Sequence, residues 1–315
     1  MLNSIRTIAT NAYLLLAKAI DARAALRNGR AVPAQCRTTA IAPEHELSIM
    51  AMVYNEATYI KEWIDFHQLL GVDHFYIYDD ESTDDLAAVL APYISLGLVS
   101  VVAWSSSSYP LGANGQTHAY AHAISNFGHN SKWMAFIDID EFLFPVQDDD
   151  LRQLLRRYGH LKSLSAYWFM FSFSGHDQRP DGPVTRAYTK RLQFPPPEDI
   201  GNFVRVKSIV QPKYVRAAYE AHMFILDRGL RESWNENGEI IIGNYRQRRL
   251  CSGAMIRINH YYTKSMSEFM ARRVTNRKRA CGKPQKSFSE TEMHHLQAAS
   301  VTDETIRRFT DRLFP

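Results

Sequence analysis

The chain is poor in cysteine. Cys36, Cys251 and Cys281 are the only three in 315 residues. No two are spaced as in a zinc ribbon, and an odd number argues against a disulfide framework, so a reducing, cytoplasmic compartment is expected. Charge of one sign is also scarce. Thirty-seven Lys and Arg against 33 Asp and Glu leave a formal net charge of +4, which does not mark a dedicated nucleic-acid binder, whose basic charge is larger and clustered. Long apolar runs are missing too. Residues 12–17 are apolar, but Asn11, Lys18 and Asp21 interrupt the stretch, which makes it too short to span a bilayer and a weak signal peptide. The simpler reading is a helix packed on the body. Because Arg23, Arg27 and Arg30 follow, the alternative is a basic amphipathic segment in peripheral contact with an anionic membrane surface. There is no internal repeat and no low-complexity segment.

What is present is ordered. Hydrophobic residues make up 45% and aromatics 12%, enough for a substantial core or a ring-stacking site. Residues 47–54 form a compact apolar run that predicts a buried strand. A helix over 57–70 follows, with Ile60, Trp63, Ile64 and Leu70 in phase and Gly71 as its stop. Asn55 stands where a cap would. A second strand is expected over 73–78. Ser82 and Asp85 fit a capping box for a helix carrying Leu86, Val89, Leu90, Tyr93 and Ile94, which Gly97 ends. Strands over 98–104 and 132–139 flank a helix over 115–127. This alternation predicts an α/β fold with a parallel sheet, whose ligands sit at the carboxyl ends of the strands. Asn55-Glu56, Asp79-Asp80 and Asp138–Glu141 all fall at such ends.

The second half predicts a mixed sheet from shorter strands over 163–172, 184–192, 203–211 and 253–259, with helices over 265–278 and 302–313. Glycine and proline cluster in 175–183 and 194–201, which suggests long functional loops there.

The segment Trp133–Phe144 carries Asp138, Asp140 and Glu141 in an otherwise apolar stretch. Buried carboxylates need a cation or strong donors. If the strand runs on, Asp138 and Asp140 share a face while Ile139 enters the core. Two hard oxygen ligands so placed suit Mg²⁺ or Mn²⁺ bound to substrate phosphates. The competing reading is that these acids cap the next helix or pair with Arg152, Arg156 or Arg157.

Several ordered motifs together resemble glycosyltransferase family 92 and its bacterial, family 2-like relatives of the GT-A fold. They are Met52-Val53-Tyr54-Asn55-Glu56, Tyr78-Asp79-Asp80-Glu81-Ser82-Thr83-Asp84 and Phe136-Ile137-Asp138-Ile139-Asp140-Glu141-Phe142-Leu143. Phe173-Ser174-Gly175-His176 and His260-Tyr261-Tyr262-Thr263-Lys264-Ser265, with Glu268-Phe269 soon after, complete the set. The resemblance implies a Rossmann-like nucleotide-binding half fused to a mixed-sheet acceptor half in one domain over 46–285. A helical extension over 1–45 would precede it and a helical tail over 286–315 would follow. It also implies an inverting transferase that moves a hexose from a UDP- or GDP-hexose, with Mn²⁺ or Mg²⁺, to a glycan or glycolipid such as a lipopolysaccharide core.

Under this resemblance Asn55, Glu56, Asp79, Asp80, Gln116, Asp138 and Lys264 contact the donor. Asp138 and Asp140 hold the metal, with His260 or its rival His222 completing the shell. Glu268, near a helix start, is the expected base, with His176 and Asp177 as rivals. Asp79 or Asp80 would also cap the following helix, with Asp80 the favoured ligand contact, and each histidine has the alternative of a satisfied buried imidazole. The basic run Arg272, Arg273, Arg277, Lys278, Arg279, Lys283 and Lys286 reads as a solvated face or as an anionic-acceptor or membrane contact. Two other classes compete. A nucleotidyltransferase would carry a glycine-rich loop after the first strand, where this chain has Tyr54-Asn55-Glu56-Ala57. An inactive sugar-nucleotide-binding module would not need the intact acid pair.

Overall fold

The computed structural model describes residues 23–28, 31–37, 41–109, 114–242, 250–279 and 289–315. The N-terminal apolar stretch, Cys281, Lys283 and Lys286 lie outside these residues, as do the side chains of Arg273, Arg277, Lys278 and Arg279. No helix among the described residues is long and apolar enough to cross a membrane.

The first half follows the expected alternation: β1 (His45–Val53), α1 (Ala57–Leu69), β2 (His74–Asp80), α2 (Leu86–Ser95), β3 (Val99–Trp104), α3 (Gly115–Phe127) and β4 (Ser131–Phe136). β1 pairs in parallel with β2 and β4, and β2 with β3. Then come β5 (Glu141–Pro145), α4 (Leu151–Arg157), β6 (Ser163–Met170), β7 (Val206–Val210), β8 (Ile256–His260) and α5 (Met266–Arg279). β7 inserts antiparallel between β4 and β6. β8 runs parallel to β6 and antiparallel to β5. With the short strands Glu232–Trp234 and Ile240–Ile242 added beyond β6, the described residues form one mixed ten-stranded sheet, in keeping with the expected α/β class and mixed second half.

Both faces of the central strands are buried, so successive residues enter different cores. Ile49 and Ile77 join Trp63, Phe66, Leu90, Leu154 and Phe309 on one side. Met50 and Tyr78 join Tyr120, Ile124 and Phe136 on the other.

Local chemistry departs from expectation in several places, and the helix expected over 302–313 is confined to Arg307–Leu313. Glu56, not Asn55, holds the cap position of α1, and its side chain makes no cap bond; the Asp84 carboxylate accepts the Ala57 N–H at 2.9 Å instead. The Ser82–Asp85 capping box does not form, because the Ser82 hydroxyl accepts the Asn55 N–H. The stretch expected as a strand over 184–192 is a helical turn, Val184–Ala187, followed by a two-residue strand. Its first N–H groups bond the Glu62 carboxylate of α1, at 2.8 Å from Val184 and 3.0 Å from Thr185. This tertiary cap outweighs the strand preference of Val184 and Thr185.

Among the described residues β5 pairs only with β8, and its other edge is fixed by α1. The Trp63 indole N–H donates to the Glu141 carbonyl at 2.8 Å. The fully buried His67 accepts the Leu143 N–H at Nε2, 3.1 Å, and Nδ1 donates to the Trp63 carbonyl at 2.8 Å. Burial pushes the His67 pKa down to about 3 from 6.5. The unfolded imidazole therefore takes a proton near pH 6.5 while the folded one does not. Its contribution is whole above pH 6.5 and is lost as pH falls toward 3, amounting to about 2 kcal/mol between pH 7 and pH 5. Urea unfolding at the two pH values should show this loss in the wild type and not in His67→Gln; equal losses in both would refute it.

Candidate active site

The strand expected over 132–139 stops at Phe136, and residues 138–140 form a turn. The Glu141 N–H closes it on the Asp138 carbonyl at 3.0 Å. A continuous strand would have presented Asp138 and Asp140 side by side. The turn instead sends the three acids to different partners.

Asp138 is fixed from two sides. Lys207 Nζ lies 2.8 Å from Oδ2, and Gln116 Nε2 donates to Oδ1 at 2.9 Å. Asp140 lies with Oδ2 2.7 Å from Arg272 Nη1 and Oδ1 3.4 Å from His260 Nε2. Burial alone would raise its pKa, but His260 and Arg272 outweigh that and hold the carboxyl well below the usual range. Glu141 begins β5 directly opposite His260 of β8. Burial raises its pKa well above the usual carboxylate range, against the pull of Lys207.

Ligand atoms of Asp140, Glu141 and His260 all lie within 4.8 Å of one another. Glu141 Oε1 and His260 Nδ1 are buried without a hydrogen-bond partner among the described residues. Two carboxylates and an imidazole, with a buried acceptor left unsatisfied, fit a divalent cation. Glu141, read from the sequence only as a third acid, belongs to this cluster; Asp138 does not.

The cluster opens into a cleft of about 590 Å³ whose lining includes Asn55, Glu56, Gln116, Asp138, Asp140, His260, Lys264 and Glu268. Asn55, in the left-handed region at φ 54°, accepts the Thr83 N–H at 2.7 Å and so ties two strand-end loops together. Lys264, at φ 49°, is almost fully buried, with Nζ 3.6 Å from Glu56 and 3.3 Å from the Tyr59 ring centroid. Burial, reinforced by Arg272, lowers its pKa to about 8 despite the nearby Glu56. A strained backbone and a buried cation at one position are features that cluster at functional sites.

Glu268 and Ser265 cap α5 reciprocally. The Glu268 Oε2 atom accepts the Ser265 N–H at 3.1 Å, and Ser265 Oγ accepts the Glu268 N–H at 3.4 Å. Tyr59 donates its hydroxyl to Oε1, and Tyr188 donates to Oε2 at 3.3 Å. Burial raises the Glu268 pKa.

Other expected residues are not brought into the cleft. Asp80 is buried, accepting Ser106 N–H at 2.6 Å and Ser106 O–H at 2.7 Å. Asp79 accepts the Ser82 N–H at 3.0 Å, a local turn bond. His222 donates to or accepts from a partner at both ring nitrogens: Nδ1 faces the Val206 carbonyl at 2.9 Å, and Arg205 donates to Nε2 at 3.0 Å. It is a satisfied buried imidazole, not a member of the cluster. His176 and Asp177 line a separate cavity of about 220 Å³. Their carbonyls accept the Met266 and Ser267 N–H groups at 3.1 and 3.0 Å, which seats the start of α5. Arg152 and Arg157, offered as partners for the acid triplet, pair instead with Asp150 and Asp148.

Sequence reasoning missed Lys207, Tyr59 and Trp168, and read Arg272 as part of a solvated run. Two signals were available. Lys207 interrupts the apolar Val206–Val210 strand, and Arg272 lies four residues after Glu268, on the same face of one helix.

A domain model described as glycosyltransferase family 92 matches residues 46–308. The chain is 29% identical over 208 residues to a glycosyltransferase family 92 protein of Oryza sativa subsp. japonica, covering 64% of this chain and 33% of that protein. It is 27% identical over 209 residues to another from Ricinus communis, covering 64% and 35%. The matched region thus spans about a third of the length of these curated relatives. Among solved structures it is similar to S. aureus TarS 1-349 in complex with UDP, at 16% identity and TM-score 0.34, over 53% of this chain and 47% of that one. It is also similar to the mannosyltransferase PcManGT from Pyrobaculum calidifontis in complex with GDP-Man and Mn²⁺, at 17% identity and TM-score 0.30, again over 53% and 47%. With the family match extending over most of its length, the chain belongs to glycosyltransferase family 92.

Proposed function

We propose that the cleft transfers a hexose, with inversion, from a UDP- or GDP-hexose to a hydroxyl of a glycan or glycolipid. One observation carries this reading: Asp140 and His260, the buried Lys264, the partly buried Arg272 and Glu268 all line a single cleft, and Glu141 is buried with a ligand atom within 4.8 Å of those of Asp140 and His260. A divalent ion, Mn²⁺ or Mg²⁺, held by Asp140, Glu141 and His260 would neutralise charge on the diphosphate leaving group. Lys264 and Arg272 add fixed positive charge in a poorly solvated wall, where it acts most strongly on a developing anion. Asn55, Glu56, Gln116 and Asp138 contact the nucleotide sugar.

Glu268 is the base. As the acceptor oxygen bonds the anomeric carbon, the bond to the diphosphate breaks, its electron pair leaves with the nucleotide, and Glu268 takes the acceptor proton. Its raised pKa brings it nearer the operating pH, as a general base requires. The donors from Tyr59, Tyr188 and Ser265 hold it in place, and one must yield to the acceptor hydroxyl.

A phosphorylated or acidic acceptor, such as a lipopolysaccharide core at the cytoplasmic membrane face, suits the exposed Arg179 that lies 5.1 Å over the Tyr59 ring at the cleft edge. A nucleotidyltransferase has less support, since the strand-end loop at Asn55-Glu56 offers side chains rather than a glycine cradle.

The test is a panel of UDP- and GDP-hexoses with Mn²⁺, Mg²⁺ or EDTA. Donor consumption is expected only with metal and is expected to vanish in Asp140→Ala. If no donor is bound or consumed with either metal, the proposal fails.

A further inference from the structure

Three carboxylates crowd one turn, yet only two belong to the metal-like cluster. The third is claimed by a lysine. Lys207 is almost fully buried, with Nζ 2.8 Å from Asp138 Oδ2 and 3.5 Å from Glu141 Oε2. Gln116 holds the remaining Asp138 oxygen at 2.9 Å. An ammonium so placed lies between two carboxylates and supplies the positive charge that a second cation between them would otherwise supply. Lys207 is the second residue of β7, paired in register with Ala166 of β6, and its burial keeps the ammonium from solvent.

We propose that Lys207 is a built-in cation that takes the place of a second metal ion. It claims Asp138 and one oxygen of Glu141 and leaves the cleft room for a single divalent ion on Asp140, Glu141 and His260. This rests on the metal reading above. Lys207 is a positioning residue: it touches no substrate but decides which acids face the ion. A lysine that merely stabilised the fold would leave the ion count untouched when replaced.

The test is Mn²⁺ binding to the purified full chain, followed by electron paramagnetic resonance and calorimetry. Wild type should bind one ion. Lys207→Met should bind two, or bind the first about tenfold more tightly, since a unit charge beside a ligand has been removed. Its melting temperature should also rise more with Mn²⁺ than that of the wild type. A Lys207→Met protein that binds one ion with unchanged affinity overturns the proposal, as does a wild type that binds two.

If Lys207→Met does not fold, Asp138→Asn decides. It should change Mn²⁺ affinity by no more than about threefold, whereas loss of the true ligand in Asp140→Asn should cost about a hundredfold or more. Equal losses in the two variants overturn the proposal. A wild type that binds no Mn²⁺ removes the metal reading itself, an outcome distinct from a wild type that binds two.

Discussion

Glu268→Gln is expected to lower kcat by about a thousandfold, within the range that removal of a positioned general base produces, while donor affinity stays nearly unchanged. Glutamine preserves the length and one acceptor oxygen, so Tyr59 keeps a partner, but no atom remains to take the acceptor proton. Glu268 also belongs to the reciprocal cap with Ser265. The variant should therefore lose on the order of 1 kcal/mol of stability from the start of α5. The two effects separate cleanly: the cap loss appears as a small fall in melting temperature, the base loss as a fall in turnover of folded protein at saturating donor. Single-turnover assays with the donor concentration varied make the distinction. Wild-type turnover would eliminate Glu268.

Asp140→Asn should have the second large effect. The variant keeps the side-chain shape but removes the charge that faces His260 and Arg272. Mn²⁺ affinity should fall by about a hundredfold or more and transfer by at least as much, since an ion ligand and its charge are both lost. Because Arg272, whose side chain is 25% exposed, is then left with a neutral neighbour, part of the loss will be structural. Added Mn²⁺ measures the division. If saturating Mn²⁺ restores transfer, the role is ligation; if melting temperature recovers with no transfer, the role extends to the leaving group. A variant with wild-type Mn²⁺ affinity would show that Asp140 only anchors Arg272.

The parts of this molecule legible in the sequence were those set by local pattern. Apolar periodicity placed α1 at Ala57–Leu69 and α2 at Leu86–Ser95, and apolar runs placed most of the first-half strands within two residues of where they lie. Glycines at φ 87° and 70°, Gly71 and Gly97, marked the ends of α1 and α2. The motif order brought Asn55, Glu56, Gln116, Asp138, Asp140, His260, Lys264 and Glu268 onto one cleft, and the structure does assemble them there.

What was not legible depends on partners distant in the chain. Whether residues 132–139 run on or turn is decided by β8 pairing with β5, more than a hundred residues away, and by Trp63 and His67. The competition between His222 and His260 turned on strand register, which puts His260 opposite Glu141 and leaves His222 against Arg205 and the Val206 carbonyl. A buried lysine such as Lys207 reads in sequence as an odd residue in an apolar strand; only packing shows that it neutralises Asp138. Asp79 and Asp80 end a strand and read as ligand contacts; in the fold Asp79 accepts the Ser82 N–H, Asp80 accepts the N–H and O–H of Ser106, 26 residues on, and neither lines the cleft beside Asp140.

The central claim is that Asp140, Glu141 and His260 make nucleotide-diphosphate binding depend on a divalent ion. The most direct measurement is calorimetric titration of the purified chain with UDP and with GDP, each in Mn²⁺ and in EDTA. At least one nucleotide should bind in Mn²⁺, with affinity falling by about a hundredfold or more when the ion is removed, and with the same loss in Asp140→Asn. Binding of equal strength in Mn²⁺ and EDTA, or none in either, would contradict it.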